Sequence, residues 1–236
     1  MSKTRLDLRT HARVYLDEIS PADWLDSQIN RELNYAYSEV YSAIIEVYED
    51  YYKEDATVGL VEDQQDYELP DDFWKLRRLE AKYDSDGDYV KATRYDFRQI
   101  KSPYDSSTFG DSSTPIYELS GNYIKLLPMP SETVTAGIRL SYIKTISEMD
   151  DDDDTIDIPF PDRYGRLIVI GAVAQLMRKG QQEEAVAAKY QDDFQIGLEK
   201  MKQELEDRIL DGNKVVLDVL GENINFERTI ATSILH

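Results

Sequence analysis

Apolar positions recur at steps of three and four over residues 21–54 and again over 162–211, while the stretch between them alternates in short runs broken by turn residues. The first pattern has the 3.6-residue period of a helix, the second the two-residue period of a strand. In the first helical stretch the stripe is Leu25, Ile29, Leu33, Ala36, Val40, Ile44, Val47 and Tyr51. Ser20-Pro21-Ala22-Asp23 opens it with a capping hydroxyl, a first-turn proline and an acid near the positive helix end. Tyr37, Tyr41, Tyr48 and Tyr52 form a second stripe alongside. A helix with this much apolar circumference needs partners on two sides. Either one subunit builds a thick core around it, or one stripe packs internally and the tyrosines meet a neighbouring copy. Tyrosine serves such a boundary because its ring buries area while its hydroxyl keeps a partner. The four tyrosines are therefore the candidate subunit interface.

A weaker pattern over 4–18 predicts a further N-terminal helix. In the middle of the chain, 57–61, 67–69 and 73–79 read as strands, and 84–88 closes a hairpin onto 89–93. A short helix is expected over 95–101. Strands 116–119 and 123–127 flank Ser120-Gly121-Asn122, a hairpin turn, and 137–143 supplies another strand. Pro159 and Pro161 then frame a helix whose segment 167–174 is apolar on all sides, which places it at the centre of a bundle; Gly180 ends it. The last helix carries one stripe, Val186, Tyr190, Phe194, Leu198, Met201, Leu205 and Ile209, and stops at Gly212. The fold class is α+β: a helical bundle body from 1–54 and 155–212, an inserted β-rich lobe over 55–154, and an extended C-terminal arm over 213–236. The arm is too short to fold alone, yet Val215, Val216, Leu217, Val219, Leu220, Ile224 and Phe226 make it too apolar for a solvated tail. It is a candidate docking segment.

Charge changes the picture more than length does. The 236 residues carry a net charge of −20, which disfavours direct binding to nucleic acid or an anionic membrane, because phosphate contacts depend on Lys and Arg. With no cysteine there are no disulfides, zinc–thiolate sites or thiol nucleophiles. Residues 1–10 alternate charged and polar positions without a signal-peptide core, and the apolar run 167–177 is too short to span a bilayer. A soluble protein is expected, with no membrane contact.

Candidate chemistry is sparse. Asp150 to Asp154 invites a metal reading, but adjacent carboxylates do not converge in a regular backbone, and a solvated loop accounts for them better. Asp84-Ser85-Asp86-Gly87-Asp88 has its glycine too early for a calcium loop, and Tyr95 stands where the bidentate glutamate is needed. Of two histidines, only His11 could serve a triad, and no nucleophile elbow accompanies it. Trp74 with Arg77 and Arg78 could form a small nucleic-acid patch; surrounded by acids, the arginines are expected to pair with carboxylates. No catalytic, cofactor-binding or metal residue is assigned.

Three pieces in order carry a resemblance. Tyr67-Glu68-Leu69-Pro70-Asp71-Asp72-Phe73 is a strand, a turn and an aromatic. Residues 115–127 form a hairpin with a double-proline exit, Pro128-Met129-Pro130. The strand 138–142, the acidic loop, Ile158-Pro159 and the apolar helix 164–177 complete the series. Over 21–211 the chain resembles the head–tail adaptor (connector) proteins of tailed bacteriophages. The resemblance implies a non-enzymatic virion protein without cofactors, made in the bacterial host cytoplasm and sited in the neck between head and tail. It implies a homo-oligomeric ring of twelve copies under the portal protein, with tail or nozzle proteins below, and DNA passing through without specific binding. It also implies a terminal arm that reaches the portal or an adjacent subunit, which 215–226 could do by strand addition. Two other readings stay open at this point: another tail or baseplate ring component, and a metal-dependent hydrolase using the acidic loop 150–154.

Overall fold

A computed structural model describes residues 3–17, 23–95, 111–180 and 184–210. Helix α1, Arg5–Tyr15, starts at a reciprocal cap: the Asp7 N–H donates to the Thr4 hydroxyl, and the Thr4 N–H donates to the Asp7 carboxylate. Helix α2, Asp26–Val47, begins later than Pro21-Ala22-Asp23 predicts; its first turn closes when the Leu25 N–H donates to the Gln28 side chain. It also ends early. A 3-10 turn, Glu49–Tyr52, follows and swings Tyr52 into the core instead of continuing the helical stripe.

Helix α3, Pro161–Lys179, is buried along nearly its whole length and packs against α1, α2 and α4, Glu184–Leu210. The all-round apolar run therefore does lie at the centre. Gly171 makes that position possible: a Cβ there would stand 3.1 Å from Ala36 of α2 and 3.0 Å from the Phe194 ring of α4. The α4 stripe, Phe194, Leu198, Met201 and Leu205, covers one side of α3.

Among the described residues, eight strands form two sheets. The first has the order β1 (Lys53–Leu60), β8 (Val134–Lys144), β3 (Phe73–Ala81), β4 (Val90–Lys91), all antiparallel. The second has the order β2 (Asp66–Glu68), β7 (Tyr123–Leu127), β6 (Ile116–Ser120), β5 (Thr93–Arg94), with β5 parallel to β6. Leu79, Ile138 and Leu140 from the first sheet and Tyr67, Ile124 and Leu126 from the second share one buried core. Gly137 is required in it, because a Cβ would stand 2.6 Å from the Leu60 side chain. The hairpin at 120–123 forms as read, with Gly121 at a φ of 59°. The segment 95–101 expected as a helix lies, beyond Tyr95, outside the described residues.

The helices have a core of their own, and β8 touches both. Its alternation points Ile138, Leu140 and Tyr142 into the sheet core and Ile143 into the helical one. The chain thus leaves the helical layer along β1 and returns along β8, two strands paired from Lys53↔Ile143 onward.

Candidate docking surfaces and the neck between the cores

Where the chain crosses between its two cores, three tyrosines grip it. The Tyr41 hydroxyl donates to the Lys144 carbonyl at 2.6 Å, at the end of β8. The Tyr52 hydroxyl donates to the Asp157 carbonyl at 2.8 Å, and the Asp157 N–H donates to the Tyr37 hydroxyl, also at 2.8 Å. The Tyr41 and Tyr52 rings lie 4.7 Å apart, and Tyr51 stands edge-on to Tyr52 at 4.9 Å. Asn34 adds a fourth grip: the Met149 N–H donates to its side-chain oxygen at 3.1 Å. Burial disfavours the phenolate, pushing Tyr37 and Tyr41 up to about 12 and Tyr52 higher still.

Most of the tyrosine stripe read as a boundary between copies is engaged within the chain. Tyr37, Tyr41 and Tyr52 are 3%, 9% and 1% exposed, so their surface is already consumed within the chain. Only Tyr48 is partly exposed, with its ring 6.1 Å from Tyr51. The physical reason is the demand of the crossing. Loop 145–160 must run over an apolar helical layer, and its backbone polar groups need partners there. Tyrosine supplies the apolar cover and the hydrogen bond together.

The acidic run has a partner that apolar patterning did not reveal. Arg5, Arg9 and Arg13 stand at steps of four on α1, hence on one helix face. Arg9 binds Asp152 through two nitrogens, at 2.7 and 2.6 Å, and Arg5 binds the same carboxylate at 3.0 Å and the Met149 carbonyl at 2.7 Å. Arg13 pairs with Asp26 and donates to the Trp24 carbonyl. The Asp152 carboxyl is held down at about 2, first by Arg9 and then by Arg5. Asp154 turns inward and accepts from the Asp150 and Asp151 N–H groups at 2.7 Å each. The run is therefore a seat for α1, and among the described residues no three metal-ligating side chains converge there or elsewhere. The signal was present as charges at helical spacing, but the acids they meet lie far along the chain.

The other candidates resolve locally. Arg77 pairs with Glu49 and Asp50, and Arg78 with the buried Glu80, which also holds Arg139. Trp74 remains 47% exposed beside them. Asp84 accepts from the Asp86 N–H and closes a tight turn. His11 sits in a cleft of about 330 Å³ between α1 and α3, with Lys3, Tyr15, Asp162 and Arg166, and among the described residues no serine or threonine lines it. Val215, Val216, Leu217, Val219, Leu220, Ile224 and Phe226, the docking segment, lie outside the described residues.

Exposed large apolar side chains are dispersed over the molecule: Val14 on α1, Tyr35 on α2, Ile196 on α4, and Trp74 and Tyr123 on the sheets. Among the described residues, β1 is the longest strand at a sheet edge, and β4 covers the outer side of β3 only at Glu80 and Ala81. No helix among the described residues is long and apolar enough to cross a membrane. In comparison with known proteins, the family model of the SU10 adaptor protein matches residues 3–215, a span that includes the four helices and two sheets of the described residues. No curated protein matches the chain.

Proposed function

We propose that this chain, which belongs to the SU10 adaptor protein family, forms a ring beneath the portal that seals the DNA exit channel and gives the tail its attachment surface. Membership makes it a structural adaptor protein of a bacteriophage virion. The ring, the seal and the partners on either side are our reading. In it, 1–54 and 155–212 build the ring body, 55–154 forms a lobe facing tail components, and 213–236 is the arm that docks on the portal. The homo-oligomer has twelve copies, matched to the portal.

The family match over nearly the whole chain carries this reading. Charge supports it: residues 55–154 hold 22 acidic against 11 basic side chains. A channel wall of that sign repels a polyanion, so DNA slides past without the counterion release that holds it to basic proteins. Deleting 213–236 tests the arm. The truncated subunit should fold as the full chain does and fail to be retained by portal rings. Retention equal to that of the full chain would remove the arm assignment, and retention by tail components alone would move the ring to the tail.

A further inference from the structure

We infer that the cleft between α1 and α3 receives the outer face of α4 from a neighbouring copy, with Ile196 seated among Lys3, His11 and Arg166. The inference rests on the ring reading above and names the contact that joins its copies. With Tyr37, Tyr41 and Tyr52 buried in the chain's own neck, the helical body has to meet its neighbour elsewhere. The cleft is a groove between two helices: Leu8, His11 and Tyr15 line it at steps of three and four from α1, and Gly165, Arg166 and Val169 from α3. Gly165 lets Lys3 lie against α3, since a Cβ there would stand 3.2 Å from the Lys3 Cγ.

Charge in the cleft is unspent. Arg166 lies over the Tyr15 ring at 5.6 Å, and Lys3 has Asp7 and Asp162 within electrostatic reach, yet among the described residues neither cation makes an ion pair. On the other face of α1, by contrast, Arg5, Arg9 and Arg13 are all paired. Among the described residues Asp162 is the one acid lining the cleft, against Lys3, Arg166 and the His11 imidazole. Val14, three residues on from His11 along the same flank of α1, is 73% exposed, so an apolar surface borders the cations.

The outer face of α4 carries the matching chemistry. The helix packs on α3 through Phe194, Leu198, Met201 and Leu205, and its far side exposes Asp192, Ile196, Glu199, Gln203 and Glu206 at steps of four and three. Ile196 is 55% exposed, with Asp192 and Glu199 one turn to either side of it. Anchors at i, i+4 and i+7 have the spacing by which a helix enters a groove. Among the described residues Asp192 makes no ion pair, and Glu199 reaches only Lys202, at 3.4 Å. This face points away from the α3 of its own chain, so the cleft it enters belongs to another copy. Copies of net charge −20 repel one another, and a contact that joins them has to set acids against cations. Groove and ridge are different surfaces of the same chain, the head-to-tail relation that closes rings.

A Val14→Cys/Ile196→Cys chain tests this, because the protein has no cysteine of its own. Particles assembled from the double variant and treated with a short bis-maleimide should give a ladder of linked chains, since each copy carries both halves of the contact. Each single variant should give monomers only. Monomers alone from the double variant would overturn the inference, as would a linked pair from either single variant, which would mean that like surfaces meet. Lys3→Glu/Arg166→Glu should lower incorporation into particles by about tenfold, and adding Asp192→Lys/Glu199→Lys to the same chain should restore it. Incorporation untouched by the first pair, or left unrepaired by the second, would overturn it too. Electron micrographs of wild-type particles judge the ring reading separately: a ring under the portal without the ladder sinks this contact alone, and no ring sinks the reading beneath it.

Discussion

Replacing Tyr37 or Tyr52 by phenylalanine removes one hydroxyl and almost no buried area, which isolates the grip on Asp157. Each hydroxyl makes one bond of 2.8 Å, one to the carbonyl and one to the N–H of that residue. A neutral hydrogen bond contributes about 1 kcal/mol net, and a partner left unpaired in a sealed interior costs about 1–3 kcal/mol. The Asp157 residue is itself exposed, so the freed group regains water and the lower end applies, about 1 kcal/mol for each variant. Because both act on one residue, the double variant should lose about 1.5 kcal/mol, less than the two losses added. Urea unfolding of the isolated subunit measures this directly: the unfolding constant should rise about fivefold in each single variant. Unfolding free energies unchanged within about 0.3 kcal/mol, together with weakened assembly, would refute the clamp and return these rings to the boundary between copies.

Four other outcomes follow from the same geometry. Asp152→Asn should unseat α1, so that amides of 5–15 exchange faster while those of β8 keep their protection; equal protection of α1 would show that its apolar contacts suffice. Lowering pH should do the same: with Asp152 held at about 2, the latch is complete above its unfolded value, near 4, and is lost as pH falls toward 2, read as α1 exchange against pH. At the other extreme, Tyr37 and Tyr41 are raised to about 12, so their contribution is complete below pH 10 and declines as pH rises to 12; Tyr41→Phe should flatten that part of the stability profile. Gly171→Ala should destabilise by about 1–3 kcal/mol in thermal or urea melts, because both neighbours of its Cβ are packed side chains.

The helical period was legible because one face of α2 and α4 is buried against a single layer, and α3 because it is buried all round. Strand β8 was legible from its alternation, and β6 and β7 from Ser120-Gly121-Asn122 between them. The β5–β6 pairing was not: two residues carry no period, and Pro115 and Tyr117 supply the partners from a distant part of the chain. The purpose of the tyrosines was not legible either, since sequence shows that a helix face is apolar but not which segment covers it. Arg5, Arg9 and Arg13 show the same limit from the other side. Their spacing is local, whereas Asp152 lies 143 residues from Arg9, and only the fold brings them together.

A tether made of one chain can swivel about its own bonds, but this molecule is joined at its waist by two. Lys53 and Ile143 are cross-strand partners where β1 leaves and β8 returns, so rotating the sheets against the helices would shear a hydrogen-bonded ribbon. The angle at which the sheets project is thereby inherited from the helices. In a closed circle of copies every projection would share one pitch, and a torque applied at the rim would pass to the hub without slack.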